Sequence, residues 1–206
     1  IVQGLSCDGG LLLPETIPQL APGAIEALAR LPYPARAAEV MAMYLDEFTA
    51  EELRGYAEKA YGPAKFDTPA VAPLVKVGER THVLELWHGP TCAFKDMALQ
   101  MLPYLLTASL RKTGETRTAC ILVATSGDTG KAALEGFRDV PHTKILVFYP
   151  KDGVSDVQKL QMVTQEGGNV GVCAVRGNFD DAQTGVKKIF SDPAVREAMN
   201  ERGCFF

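Results

Sequence analysis

The sequence has little of several things that would organise a chain. It has no internal repeat, no low-complexity tract and no apolar run of the roughly twenty residues that a membrane helix needs. Nor does it show an amino-terminal signal peptide. Its five cysteines, Cys7, Cys92, Cys120, Cys173 and Cys204, are odd in number and lack Cys-x-x-Cys spacing, and there are only three histidines. Neither a disulfide framework nor a metal site is indicated. The cysteines mostly lie among apolar neighbours and are expected as free core thiols in a reducing cytoplasm. A net charge of -4 leaves no general attraction for nucleic acid or an anionic membrane, so neither partner is expected. An anionic ligand must be held by local devices.

What is present is a chain of 206 residues with 47% hydrophobic content, enough to bury the core of one domain with a lead-in. Residues 1–67 read as a helical lead-in. Asp8-Gly9-Gly10 is a turn signal before Leu11-Leu12-Leu13-Pro14, a short apolar strand stopped by proline, and Ala24 to Leu31 is a helix between prolines. Ala38, Met41, Leu45 and Phe48 fall at helical spacing, and Thr49-x-x-Glu52 is a capping box that opens a helix to Tyr61. From residue 68 the pattern changes. Val71 to Val77 and His82 to Leu86 suggest a hairpin, and a long helix is expected after it to about Arg111. Apolar strands at Ala119–Ala124, Ile145–Tyr149 and Val170–Val175 then alternate with helices at 130–137, 155–166 and 180–190, with a last short one from Pro193. That alternation implies an α/β class, a parallel sheet covered on both faces to make three layers.

Two stretches carry chemistry. The first is His88-Gly-Pro-Thr-Cys-Ala-Phe-Lys-Asp96, which sets Lys95 between the apolar run Val83–Trp87 and the helix that follows. A lysine in a first helical turn, partly buried among Phe94 and Leu99, is favoured as the neutral amine, the form that attacks a carbonyl. The other reading is an exposed lysine whose stem covers apolar surface. Cys92 is the one cysteine inside this stretch. The second is Thr125-Ser-Gly-Asp-Thr-Gly-Lys131, at the carboxyl end of a strand and the start of a helix, where open α/β sheets bind ligands. Its backbone amides and hydroxyls suit a carboxylate or phosphate, or simply a well-capped helix. It is not a nucleotide phosphate loop, because Thr125 stands where glycine is needed and Ala132 where Ser or Thr is needed. Gly127 and Gly130 also lack the first glycine of a dinucleotide fingerprint.

Together these stretches resemble the threonine synthase family of fold-type II pyridoxal-phosphate enzymes. The matching residues are Leu84 to Thr91, Ala93 to Asp96, Ser126 to Gly130, Asp8 to Leu11 with Pro14, and Ser155 with Gln158, Gln161 and Met162. The resemblance implies that Lys95 holds pyridoxal 5'-phosphate covalently, with Phe94 and Asp128 beside the cofactor. It also implies that Ser126, Gly127, Asp128 and Thr129 bind the substrate carboxylate. The implied reaction converts O-phospho-L-homoserine and water to L-threonine and phosphate. His88 and Ser155 are weaker candidates for the substrate phosphate; bracing accounts for the first and helix capping for the second. Asp128 stands where many relatives of this cofactor fold carry Asn, whereas threonine synthases resemble this chain in carrying Asp.

The sequence departs from the family at its ends. Members are much longer and carry in their second half the glycine-rich loop for the cofactor phosphate and the residue facing the pyridine nitrogen. Gly167-Gly168 reads instead as a helix C-cap. The chain begins at Ile1 and ends on Gly-Cys-Phe-Phe, which resembles an interrupted core segment, so a fragment, inactive alone, is expected. A repurposed threonine-synthase-like module, serving binding or a phospho-lyase reaction, is the alternative.

Overall fold

The computed structural model describes residues 1, 2, 6 and 10–206. The expected turn at Asp8-Gly9 and the thiol of Cys7 lie outside the described residues, and the strand expected at Leu11 to Pro14 does not form: its leucines are exposed and pair with no strand among the described residues.

Three helices open the chain: α1 (Ala24–Ala29), α2 (Tyr33–Ala42) and α3 (Ala50–Ala60). The capping box forms at α3: Thr49 Oγ1 accepts from the Glu52 amide at 3.1 Å, and Glu52 Oε2 accepts from the Thr49 amide at 2.9 Å. Both groups would otherwise be unpaired at a helix start. Leu53, Ala57 and Ala60, spaced to lie on one face, are fully buried with Phe66, Val71 and Met101. Tyr61 closes this core, its hydroxyl donating to the Met97 carbonyl at 2.8 Å. Burial pushes that phenol's pKa up.

A hairpin of β1 (Leu74–Lys76) and β2 (His82–Leu84) forms its own antiparallel sheet. It is shorter than its sequence suggests. Val71 is buried in a turn with φ 60°, and after Leu84 the chain turns so that the Glu85 carboxylate meets His88. The helix expected through Arg111 is broken into α4 (Asp96–Leu99) and α5 (Leu102–Thr113). Pro103 explains the break: it has no N–H to donate, and its ring crowds the preceding turn.

The main sheet is parallel, in the order β5-β4-β3-β6, from β3 (Thr118–Ala124), β4 (Thr143–Pro150), β5 (Val170–Val175) and β6 (Cys204–Phe205). Connecting β3 to β4 is α6 (Asp128–Phe137), and connecting β4 to β5 is α7 (Asp156–Val163). These lie on one face, where Leu134, Phe137, Ile145, Val147 and Met162 are almost wholly buried. Burying each such side chain contributes about 1.5–3 kcal/mol. From β5 the chain must cross back to β6 at the far side of β3, and α8 (Phe179–Ser191) and α9 (Pro193–Glu201) make that crossing over the opposite face. The result is the expected three-layer α/β arrangement.

Two local expectations are corrected. Helix α7 ends at Val163 with Thr164 as its C-cap, so Gly167, at φ 151°, belongs to the loop before β5 and not to a helix cap. Cys92 and Cys173 are exposed, Cys120 is half-buried and Cys204 buried, so the thiols are free but not all in the core. No helix among the described residues is long and apolar enough to cross a membrane, and none of their His, Cys, Asp and Glu side chains form a group able to hold a metal ion.

Candidate active site

Lys95 is the N-cap of α4. The Leu99 carbonyl lies where a Cβ on Gly136 would be, 2.1 Å from it, so α4 rests directly on the backbone of α6, the helix that Asp128 begins. Lys95 is half-buried, its ammonium is 4.8 Å from the Phe94 ring centroid, and it makes no hydrogen bond or ion pair with any described residue. Phe94 itself is 53% exposed, so it forms a wall open to solvent, not a core contact.

Asp96, the next residue, holds the stretch in shape. It is 0% exposed, and its two oxygens accept from the Thr91 amide and the Thr91 hydroxyl, both at 2.8 Å. Gly89 leaves the necessary room, since a Cβ there would stand 2.6 Å from the Asp96 carboxylate. Cys92, inside this loop, has φ 56°. His88 pins the loop's start: Nδ1 lies 2.6 Å from Asp67 Oδ1 and Nε2 lies 2.8 Å from Glu85 Oε2. Hydrogen bonds donated to Glu85 and then to Asp67 raise its pKa, favouring the imidazolium. With both ring nitrogens occupied, His88 braces the loop.

The turn after β3 is organised by Thr125, which is 2% exposed. Its hydroxyl accepts from the amides of Gly127 at 3.0 Å and Gly130 at 2.9 Å, and donates to the Gly127 carbonyl at 3.1 Å. The hydroxyl is thus used inside the turn, and the amides of Ser126, Asp128 and Thr129 are left without a partner among the described residues. They sit at the N-terminus of α6, where backbone donors and the helix dipole favour an anion. Gly127, at φ 155°, has a backbone that side-chain-bearing residues rarely adopt, and a Cβ there would lie 2.3 Å from Gln158 Nε2. Lys131 points elsewhere: it bonds Gln165 Oε1 and lies 3.9 Å from Glu135, with burial lowering its pKa.

Ser155 caps α7, its Oγ accepting from the Gln158 amide at 3.3 Å. Gln158 answers in two directions: its Oε1 accepts from the Ser155 amide at 3.3 Å, and its Nε2 donates to Asp128 Oδ1 at 3.0 Å. The structure therefore joins Ser155 to Asp128 through one glutamine. The roles of Gln158 in orienting Asp128, Thr125 in shaping the turn and Asp96 in fixing the Lys95 loop are absent from the sequence reading. Only Gln158 left a signal, the Ser-x-x-Gln capping spacing.

Residues 1–61 match the family described as threonine synthase N terminus. The chain is 43% identical over 193 residues to threonine synthase of Pseudomonas aeruginosa, covering 93% of this chain and 40% of that one. It is 36% identical over 203 residues to threonine synthase-like 1 of Mus musculus, covering 93% of this chain and 26% of that one. A crystal structure of PLP-bound threonine synthase from Brucella melitensis superposes with a TM-score of 0.86 at 40% identity, covering 97% of this chain and 42% of that one. The chain spans about two-fifths of the length of the threonine synthases it matches. By sequence and by fold together, it corresponds to an amino-terminal portion of the threonine synthase family.

Proposed function

We propose that the chain forms the part of a pyridoxal-phosphate-dependent threonine synthase that carries the covalent lysine and the substrate-carboxylate turn. The whole protein would convert O-phospho-L-homoserine and water to L-threonine and phosphate, a lyase step of amino-acid biosynthesis in the cytoplasm. In this reading residues 1–67 are a lead-in that supports α4 and α5, and residues 68–206 contribute to the cofactor and substrate site. The observation that carries the reading is an unpaired, half-buried Lys95 at the start of a helix that packs on α6, whose own N-terminal turn has three amides without a partner among the described residues.

The residues fit such a cofactor. Lys95 has no competing ion pair among the described residues, and the amides of Ser126, Asp128 and Thr129 are likewise unpaired among them. Pyridoxal phosphate, when bound, supplies an electron sink for negative charge at the substrate's Cα and Cβ. Lys95 serves as covalent anchor and then moves protons at those carbons. The amides of Ser126, Asp128 and Thr129, with the Ser126 and Thr129 hydroxyls, orient the substrate carboxylate. Asp128, held by Gln158, sets the charge near the cofactor, with Phe94 as a wall. Ser155 and His88 are positioned by their own hydrogen bonds and act on the substrate phosphate only through the loops they hold.

A repurposed module, with a binding or phospho-lyase role, is the second reading, favoured by the similarity to threonine synthase-like 1. The test is an assay of O-phospho-L-homoserine turnover by the longer protein of which this chain is proposed to be a part. Equimolar threonine and phosphate support the synthase; phosphate without threonine supports the alternative. The 206-residue chain alone is expected to bind pyridoxal phosphate weakly and to form no threonine, and turnover by it would contradict the proposal.

A further inference from the structure

Residues 1–67 touch the Lys95 stretch at two points, one on each side of the lysine. Before it is Asp67, whose backbone amide donates to the His88 carbonyl at 3.1 Å and whose Oδ1 lies 2.6 Å from His88 Nδ1. After it is Tyr61, whose hydroxyl donates to the Met97 carbonyl at 2.8 Å. Tyr61 is itself fixed: it is 8% exposed and its ring meets Tyr33 edge-on, with centroids 5.2 Å apart.

Between the two points the segment is tightly packed. Gly89, next to His88, lies against Asp96, since a Cβ there would stand 2.6 Å from the Asp96 carboxylate. Asp96 is wholly buried and tied to Thr91 through both oxygens, and Lys95 immediately precedes it. A displaced His88 therefore displaces the backbone against which Asp96 packs, because close-packed interiors transmit strain.

The contact at His88 depends on a proton. Nδ1 faces an Asp67 oxygen and Nε2 a Glu85 oxygen, and the Trp87 indole lies beside the ring with centroids 5.8 Å apart. Asp67 and Glu85 are the charged groups that contact His88 among the described residues. An imidazolium donates from both nitrogens, whereas a neutral ring donates from one and turns a lone pair towards the other carboxylate.

We propose that Tyr61 and Asp67 are positioning residues for Lys95, and that their hold on it is complete only while His88 is an imidazolium. Resting on the assignment of Lys95 as the cofactor lysine, this makes residues 1–67 set how the lysine is presented, with the hold loosening as pH rises through the His88 titration.

The test has two readouts on the 206-residue chain. The first is NMR of the lysine side chains and needs no cofactor. The Lys95 ammonium lies over the Phe94 ring, 4.8 Å from its centroid, so the Lys95 ε-protons should resonate upfield of those of exposed Lys187. That displacement should shrink as pH rises, with the same midpoint as the His88 ring protons, and should be smaller at every pH in Asp67→Asn and in Tyr61→Phe. The second readout is pyridoxal phosphate reduced onto Lys95, taken as a ratio to the label on Lys187, which both variants should lower roughly tenfold. In His88→Gln neither readout should keep a step at the His88 midpoint.

A Lys95 displacement indifferent to pH and to the variants would overturn the proposal, and the pH titration of the native chain decides this without any variant. Variants that lower the melting temperature while both readouts stay unchanged would reduce the two contacts to packing and overturn it as well. A displacement that behaves as expected with no label at Lys95 would support the positioning and contradict the cofactor reading.

Discussion

Gln158 donates from Nε2 to Asp128 Oδ1 at 3.0 Å while its own backbone amide donates to Ser155 Oγ at 3.3 Å. One residue thus ties the cap of α7 to the first residue of α6. Ser155→Ala and Gln158→Leu are each expected to lower unfolding stability by about 1 kcal/mol. Because they break shared bonds, the double variant should lose less than the sum of the two. Urea unfolding of the three variants measures this, and strict additivity would contradict the link.

Two glycine substitutions should act in opposite directions. A Cβ on Gly130 would lie 2.5 Å from Thr125 Cγ2 and 2.8 Å from Val147 Cγ1, where α6 meets the sheet. Gly130→Ala is expected to cost about 1–3 kcal/mol through overpacking. Gly55, inside α3, has nothing within 4 Å of such a Cβ. Gly55→Ala should stabilise by about 0.5–1 kcal/mol, by lowering the entropy of the unfolded chain. Thermal denaturation of the pair decides both signs.

Thr125→Val keeps the shape of the side chain and removes the hydroxyl that pairs two amides of the turn. Leaving buried amides unpaired costs about 1–3 kcal/mol. Hydrogen exchange should show the largest loss of protection at Gly127 and Gly130. Unchanged exchange there would mean that the turn does not depend on Thr125.

The His88 clamp gives a pH dependence. Two carboxylates raise the folded-state pKa of His88 above its ordinary value of about 6.5. A raised pKa stabilises the fold fully below the unfolded value and loses that contribution as pH rises through the folded value. The stability gap between the native chain and His88→Asn should therefore be widest near about pH 6 and shrink towards about pH 9, read by denaturant midpoints. A gap that widened with pH would contradict the clamp.

Legibility in the sequence followed the range of the interactions. The capping box at Thr49 and the limits of β5 were readable because they depend on spacing within a few residues. The three-layer class was readable because strands and helices alternate. The break at Gln100–Met101 was carried by Pro103, but the apolar periodicity around it reads as one helix. Asp96 as a buried clamp, the occupied nitrogens of His88 and the contact from Gln158 to Asp128 join residues that no local pattern connects. Phe94 and Cys173 are exposed although their sequence neighbours are apolar, because an apolar neighbourhood in sequence does not fix which face a side chain occupies.

The central claim is that Lys95 is the covalent anchor for the cofactor. The direct measurement is borohydride reduction of the chain with pyridoxal phosphate, followed by peptide mapping, beside Lys95→Ala. The account predicts one dominant modified peptide, containing Lys95, which disappears in the variant. Label spread over exposed lysines such as Lys187 and Lys188, or an unchanged pattern in Lys95→Ala, would contradict it.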